Sequence, residues 1–153
     1  MLRPGTIAPA FTLDDLKGGK RSLEEILKGG AALIAFYKIS CPVCQLTLPF
    51  LDRVSKGSLQ VLAISQDDES GTKKFAEKYR VSLPTLLDRE GEDYPASNAY
   101  GISHVPSLFL IEQDGRVSMA VEGFVKREME AIGARAGLAP FHADDAVPEW
   151  KAG

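Results

Sequence analysis

The stretch AALIAFYKISCPVC, residues 31–44, decides how this chain is read. Ala31 to Tyr37 is an unbroken apolar run ending in two aromatic residues, the pattern of a strand buried on both faces. After Lys38, Ile39 and Ser40 come Cys41 and Cys44, bracketing Pro42 and Val43. Val43, Leu46, Phe50 and Val54 recur at spacings of three and four, which predicts a helix with those residues inward and Gly57 as its stop. A second apolar run, Leu59 to Ile64, follows. Strand, helix and buried strand predict a parallel crossover with the cysteines at its first junction.

Working outward, Leu108 to Ile111 and Val117 to Val121 flank Asp114-Gly115, a signal for an antiparallel hairpin. Ser70 to Arg80 reads as a helix capped by Ser70, with Phe75 and Tyr79 one turn apart. Val125, Met129, Ile132 and Ala136 form a last helical stripe closed by Gly137. Phe11 to Leu27 reads as a small strand or hairpin plus a short helix, and 84–87 as a short strand within the long connection 66–101. The expectation is a single α/β domain over 1–153, with a mixed central sheet flanked by helices. Its core covers about 31–137, with an N-terminal extension (1–30), an insertion after the second core strand and a C-terminal tail (138–153). The tail reads as a loose polar extension, whose Trp150 either docks or frays.

Composition narrows the function. Eighteen basic and 21 acidic side chains give a net charge of −3, which argues against nucleic acid as a partner. No apolar run approaches the ~20 residues of a membrane span. Residues 1–10 lack the apolar stretch of a secretory leader, so the chain as it stands reads as cytoplasmic, or as periplasmic or otherwise extracytoplasmic if a leader has been removed. Both cysteines of the chain lie within four residues, too close to staple a fold. A structural zinc site needs two further ligands, and only His104 and His142 remain. Redox chemistry is the stronger reading. Cys41 ends a loop and Cys44 lies one turn into a helix, whose unpaired first-turn N–H groups would favour a thiolate at Cys41. Cys41 would then attack and Cys44 resolve the mixed disulfide.

These residues resemble the thioredoxin-fold family over roughly Ala31 to Gly137. The matching features are the strand ending Phe36-Tyr37 before C-P-V-C, Pro49 eight residues after Cys41, the segment Gly101-Ile-Ser-His-Val-Pro106, and Gly115 and Gly123. Pro9-Ala-Phe-Thr-Leu, Ser22-Leu23 and the insertion after Ser65 are similar to TlpA- and ResA-type thiol-disulfide oxidoreductases and the related AhpC/TSA peroxiredoxins. The resemblance implies a cis Pro106 facing the cysteines, and a Val105 backbone that bonds an extended substrate peptide. It implies no cofactor or metal beyond a redox-active Cys41–Cys44 disulfide. Implied partners are protein dithiols or disulfides and an upstream redox partner, for a chain expected to be monomeric.

Three departures stand out: Ser40 replaces the usual aromatic residue, and Ala35 and Thr47 stand where relatives carry buried acids. Lys38 is a candidate modifier of the site's field or a solvated loop lysine. His104, two residues before Pro106, is a candidate thiolate partner or an exposed loop histidine. Two other functions compete. A peroxiredoxin-like peroxidase would use Cys44, but no arginine occupies the segment where those proteins place one. A non-enzymatic copper carrier would use Cys41, Cys44 and His104, although such proteins space their cysteines by three residues.

Overall fold

The computed structural model describes residues 1–153. Strands β1 (Thr12–Asp15) and β2 (Lys20–Ser22) form a hairpin leading into α1 (Leu23–Lys28). Ser22 caps α1: its hydroxyl accepts from the Glu25 N–H at 3.2 Å and donates to the Glu25 carboxylate. Next come β3 (Ala32–Tyr37), α2 (Pro42–Val54), β4 (Gln60–Ser65), α3 (Glu69–Tyr79) and β5 (Thr85–Leu87). After a 3-10 turn at 90–92, α4 (Pro95–Ala99) leads to β6 (Ser107–Ile111) and β7 (Val117–Glu122). The chain finishes with β8 (Phe124–Val125), α5 (Lys126–Ala136) and β9 (Trp150–Lys151).

Seven strands make one mixed sheet in the order β2-β1-β5-β4-β3-β6-β7. β3, β4 and β5 run parallel, whereas β6 is antiparallel to β3 and, as the Asp-Gly turn predicts, to β7. All six residues of β3 are buried, so both faces must be covered. Leu33, Ala35 and Tyr37 face one apolar cluster with α2 and α5; Ala32, Ile34 and Phe36 face another with α1 and Tyr100. The N-terminal extension and β5 are therefore integral to the sheet through the pairing of β1 with β5.

Three local expectations change. The inner face of α2 is Cys44, Thr47, Leu48, Leu51 and Val54, rotated from the expected Val43–Leu46–Phe50 stripe. A buried cysteine and a buried threonine, neither included in the expected stripe, complete that face. The Thr47 hydroxyl is satisfied by donating to the Val43 carbonyl at 2.7 Å. The helix ends at Ser55, not Gly57. A Cβ at Gly57 would collide with the Ala136 carbonyl, so glycine there serves the close approach to α5. α3 is capped by Asp68, whose carboxylate accepts from the Gly71 N–H at 2.7 Å; Ser70 lies inside the helix. Asp and Ser are equally good caps, and the helix start at Glu69 puts Asp68 in the capping position.

The tail is not loose. Phe141 packs against Phe50, ring centroids 4.8 Å apart, and nears Phe124. Asp145 pairs with Arg53 at 2.7 Å, and β9 pairs antiparallel with β8. The outer α2 stripe is thus covered by residues nearly a hundred positions downstream. Trp150 itself stays 61% exposed, so its strand docks through the backbone while its ring does not.

The corrected face is testable by urea unfolding. Leu51→Ala, at a fully buried position, is expected to cost about 2–5 kcal/mol. Leu46→Ala, only partly buried, is expected to cost less than half as much. Equal losses would restore the expected stripe.

Candidate active site

The end of β3 and the start of α2 place Cys41 by backbone geometry. Cys41 is the extended N-cap of α2 and Pro42 its first helical residue, where a missing N–H is no loss. The Cys41 sulfur accepts the Cys44 N–H at 3.1 Å, the contact a thiolate would use. Cys41 is partly exposed and Cys44 fully buried; both are free thiols. Burial pushes the Cys44 thiol well above its ordinary range. A hydrogen bond to Cys41 and the charges of Cys41 and Asp67 act in the same direction, while a main-chain contact from Lys38 opposes them.

The opposite wall comes from β6. Its antiparallel register sets Phe36 against Ser107, which brings the preceding loop beside the cysteines. Val105–Pro106 is a cis peptide bond, as the resemblance implies. The Cys41 thiol lies 3.4 Å from the Val105 carbonyl and donates to it. Cys41, Cys44, Val105 and Pro106 are therefore brought together. Ser107 holds the loop from below, its hydroxyl donating to the His104 carbonyl at 2.7 Å.

The two modulator candidates fall differently. His104 is exposed, and the polar partners of its Nδ1 are Glu122 at 3.1 Å and Ser103 at 3.0 Å; neither is a sulfur. Lys38 reaches the site through its main chain, its carbonyl accepting the Cys41 N–H at 3.3 Å. Lys38 also lines a shallow cleft of mixed polarity with His104, Gln66, Tyr94, Ser97 and Val105. The sulfurs and the His104 ring do not gather as a metal-binding set. Such a grouping occurs only in the tail, at His142, Asp144 and Asp145, where Asp145 already serves Arg53.

Asp67, unmarked in the sequence reading, braces the site. Its carboxylate accepts the Ile39 N–H at 2.8 Å, and its own N–H donates to the Ser65 hydroxyl, itself 2.7 Å from that of Thr72. Gln45 holds the Ile39 carbonyl from α2. The parallel pairing of Tyr37 with Ser65 was the available signal, because it brings the C-terminal ends of β3 and β4 to one edge.

Residues 4–120 match the AhpC/TSA family. The chain belongs to that family. The thiol-disulfide oxidoreductase ResA of Geobacillus thermodenitrificans is 28% identical over 129 residues, covering 81% of this chain and 72% of the relative. The thioredoxin domain of a thiol-disulfide oxidoreductase from Bacteroides vulgatus superposes with a TM-score of 0.72 at 25% identity, covering 81% of this chain and 91% of that one. A thiol:disulfide interchange protein from a Bacteroides species gives 0.74 at 22% identity, with 94% of each chain covered, and supports the fold. The thioredoxin-like architecture and the ResA-type resemblance both hold for this member. Ala35 and Thr47 are fully buried, so no acid enters the core at either expected position. No helix is long and apolar enough to cross a membrane.

The elevated Cys44 thiol has a consequence for stability. An unfolded cysteine ionises with a pKa of ~8.5, whereas the buried group keeps its proton to higher pH. Stability from the neutral thiol is complete below about pH 8.5 and is lost as pH rises beyond it, because only the unfolded chain then gives up the proton. The slope approaches about 1.4 kcal/mol per pH unit. Buried Tyr37 and Tyr100 shift the same way but act only above about pH 10. Urea unfolding under reductant from pH 8.5 to 10 is expected to show this decline in the parent and a flatter profile in Cys44→Ala. Parallel profiles would refute it.

Proposed function

We propose that the protein is a thiol-disulfide oxidoreductase that reduces protein disulfides through Cys41 and Cys44. The observation that carries this reading is the asymmetry of the pair: an accessible sulfur at a helix N-terminus and a protonated one buried behind it. The relatives named as thiol-disulfide oxidoreductases support it.

In the first step the Cys41 thiolate attacks one sulfur of a substrate disulfide. A Cys41–substrate disulfide forms, the substrate S–S bond breaks, and the other substrate sulfur leaves as thiolate. Cys41 then carries no charge, so its share of the opposition to Cys44 ionisation disappears. Cys44 passes its proton to the expelled thiolate and attacks the Cys41 sulfur. The Cys41–Cys44 disulfide forms and the second substrate thiolate departs. Two electrons have moved from protein to substrate, and an upstream dithiol protein returns them. Val105 supplies the main-chain edge along which an extended substrate segment lies, with Pro106 fixing that edge beside Cys41. His104 and Lys38 line the cleft beside Val105, where they bias which substrates approach.

Peroxidase chemistry at Cys44 is disfavoured by its complete burial and raised thiol, since peroxide needs an accessible thiolate.

Cys41→Ser is expected to abolish insulin reduction, lowering the rate at least about 1000-fold. Cys44→Ser is expected to accumulate a mixed disulfide at Cys41, visible by non-reducing electrophoresis and mass spectrometry. Full activity of Cys41→Ser would overturn the assignment.

A further inference from the structure

We propose that residues 149–153 form a strap that occupies the substrate edge of the active site and must be displaced by an incoming protein strand. The inference rests on the role assigned to Cys41 and Val105 above.

Three observations carry it. First, β9 runs antiparallel beside β8, with Trp150 opposite Val125 and Lys151 opposite Phe124, and the Lys126 N–H donates to the Glu149 carbonyl at 2.9 Å. The strap is bound as an added strand, the way an extended peptide is recognised. Second, it continues onto the substrate edge. A Cβ added at Gly153 would stand 2.5 Å from the Val105 oxygen, the same carbonyl that receives the Cys41 thiol. A Cβ at Gly123 would collide with the Lys151 oxygen, and Gly123 is buried although it lies at a strand junction. The contact is backbone against backbone, with glycine on each side. Third, the strap is held lightly. Trp150 is 61% exposed, Lys151 to Gly153 are exposed, and the Lys126–Glu149 ion pair, 3.6 Å apart, lies at the surface. Two paired residues give little local stability, so opening requires no unfolding of the core.

The tether upstream is firmer. Phe141 and the Arg53–Asp145 pair keep residues 140–145 on α2, so a displaced strap stays near its groove. An intramolecular occupant lowers the apparent affinity for a competing strand by the fraction of time it is bound. A reagent too small to need the Val105 edge escapes that competition.

The first test forces the occupant. Cys44→Ser protein is treated with a cysteine-containing hexapeptide activated as its thionitrobenzoate mixed disulfide. Cys41 attacks the peptide sulfur, thionitrobenzoate leaves as thiolate, and a Cys41–peptide disulfide remains, whatever the natural substrate. Amide exchange at 149–153 is expected to accelerate about 10-fold or more. The emission of Trp150, the single tryptophan, is expected to change. Carbamidomethylated Cys41 serves as the small-adduct control and is expected to leave both signals near the parent values. Unchanged exchange in the peptide conjugate overturns the proposal.

The second test releases the strap without touching the cysteines. Lys151→Pro with Gly153→Leu removes a strand donor and introduces a side chain that the Val105 carbonyl excludes. kcat/KM for insulin is expected to rise about 3- to 10-fold, while the iodoacetamide rate of Cys41 stays within twofold. An unchanged or lower kcat/KM overturns the strap. Absence of insulin reduction in both proteins overturns the oxidoreductase reading instead, and the conjugate experiment then still decides the strap.

Discussion

The central strand β3 is paired on both edges and buried on both faces, and the site depends on that constraint. Hydrogen bonding to β4 on one side and β6 on the other fixes its register twice. Because β4 is parallel, the connecting chain must cross a face of the sheet, which α2 does. Because β6 is antiparallel, its beginning lies beside the end of β3. Phe36 opposite Ser107 therefore sets both the height of Cys41 and that of Val105. A slip of one residue would turn Leu33, Ala35 and Tyr37 away from the α2 face and separate the sulfur from its carbonyl partner.

What the sequence disclosed follows the range of the interactions concerned. The β3 run, the Cys41–Cys44 pair and the Asp114-Gly115 hairpin are written in consecutive residues, and each appears where expected. Pro106 was legible through its neighbours. The inner face of α2 was harder, because Cys44 reads first as a reactive thiol and Thr47 as a polar residue, yet both are buried. The cap of α3 turned on a two-residue difference between Asp68 and Ser70, both competent side chains. Asp67 and the tail were least legible. Their partners, Ile39 and Arg53, lie 28 and 92 residues away, and no local pattern encodes such pairings.

The environment divides labour between two chemically identical side chains. Cys44 contributes an N–H to the Cys41 sulfur while its own sulfur is sealed under α2. The same helical turn aims an N–H at one sulfur and buries the other, and that burial opposes its ionisation. With Ala35 and Thr47 in place of buried acids, the core holds no carboxylate at either position to draw the Cys44 proton away. The Thr47 hydroxyl donates to the Val43 carbonyl. Control of Cys44 passes to its neighbour: Cys41 opposes its ionisation when anionic and ceases to do so once bonded to substrate. In the proposed cycle, the order of the two chemical steps follows from this coupling.

In the proposed strap, the tail competes at the same carbonyl. Its anchor and its tip differ in strength, and the difference matters. Aromatic packing of Phe141 on Phe50 and the Arg53–Asp145 pair fix the anchor, whereas the tip offers few side-chain contacts. A weak contact on a short tether still competes, because its effective concentration at the groove is on the order of millimolar. A substrate strand overcomes it by making the same backbone contacts and adding one the strap cannot make, the bond to the Cys41 sulfur. Peptides that merely resemble a strand gain no such bond and face the competition unaided. The strap therefore favours partners that carry a disulfide where the segment passes Cys41, and this selectivity needs no side-chain pocket.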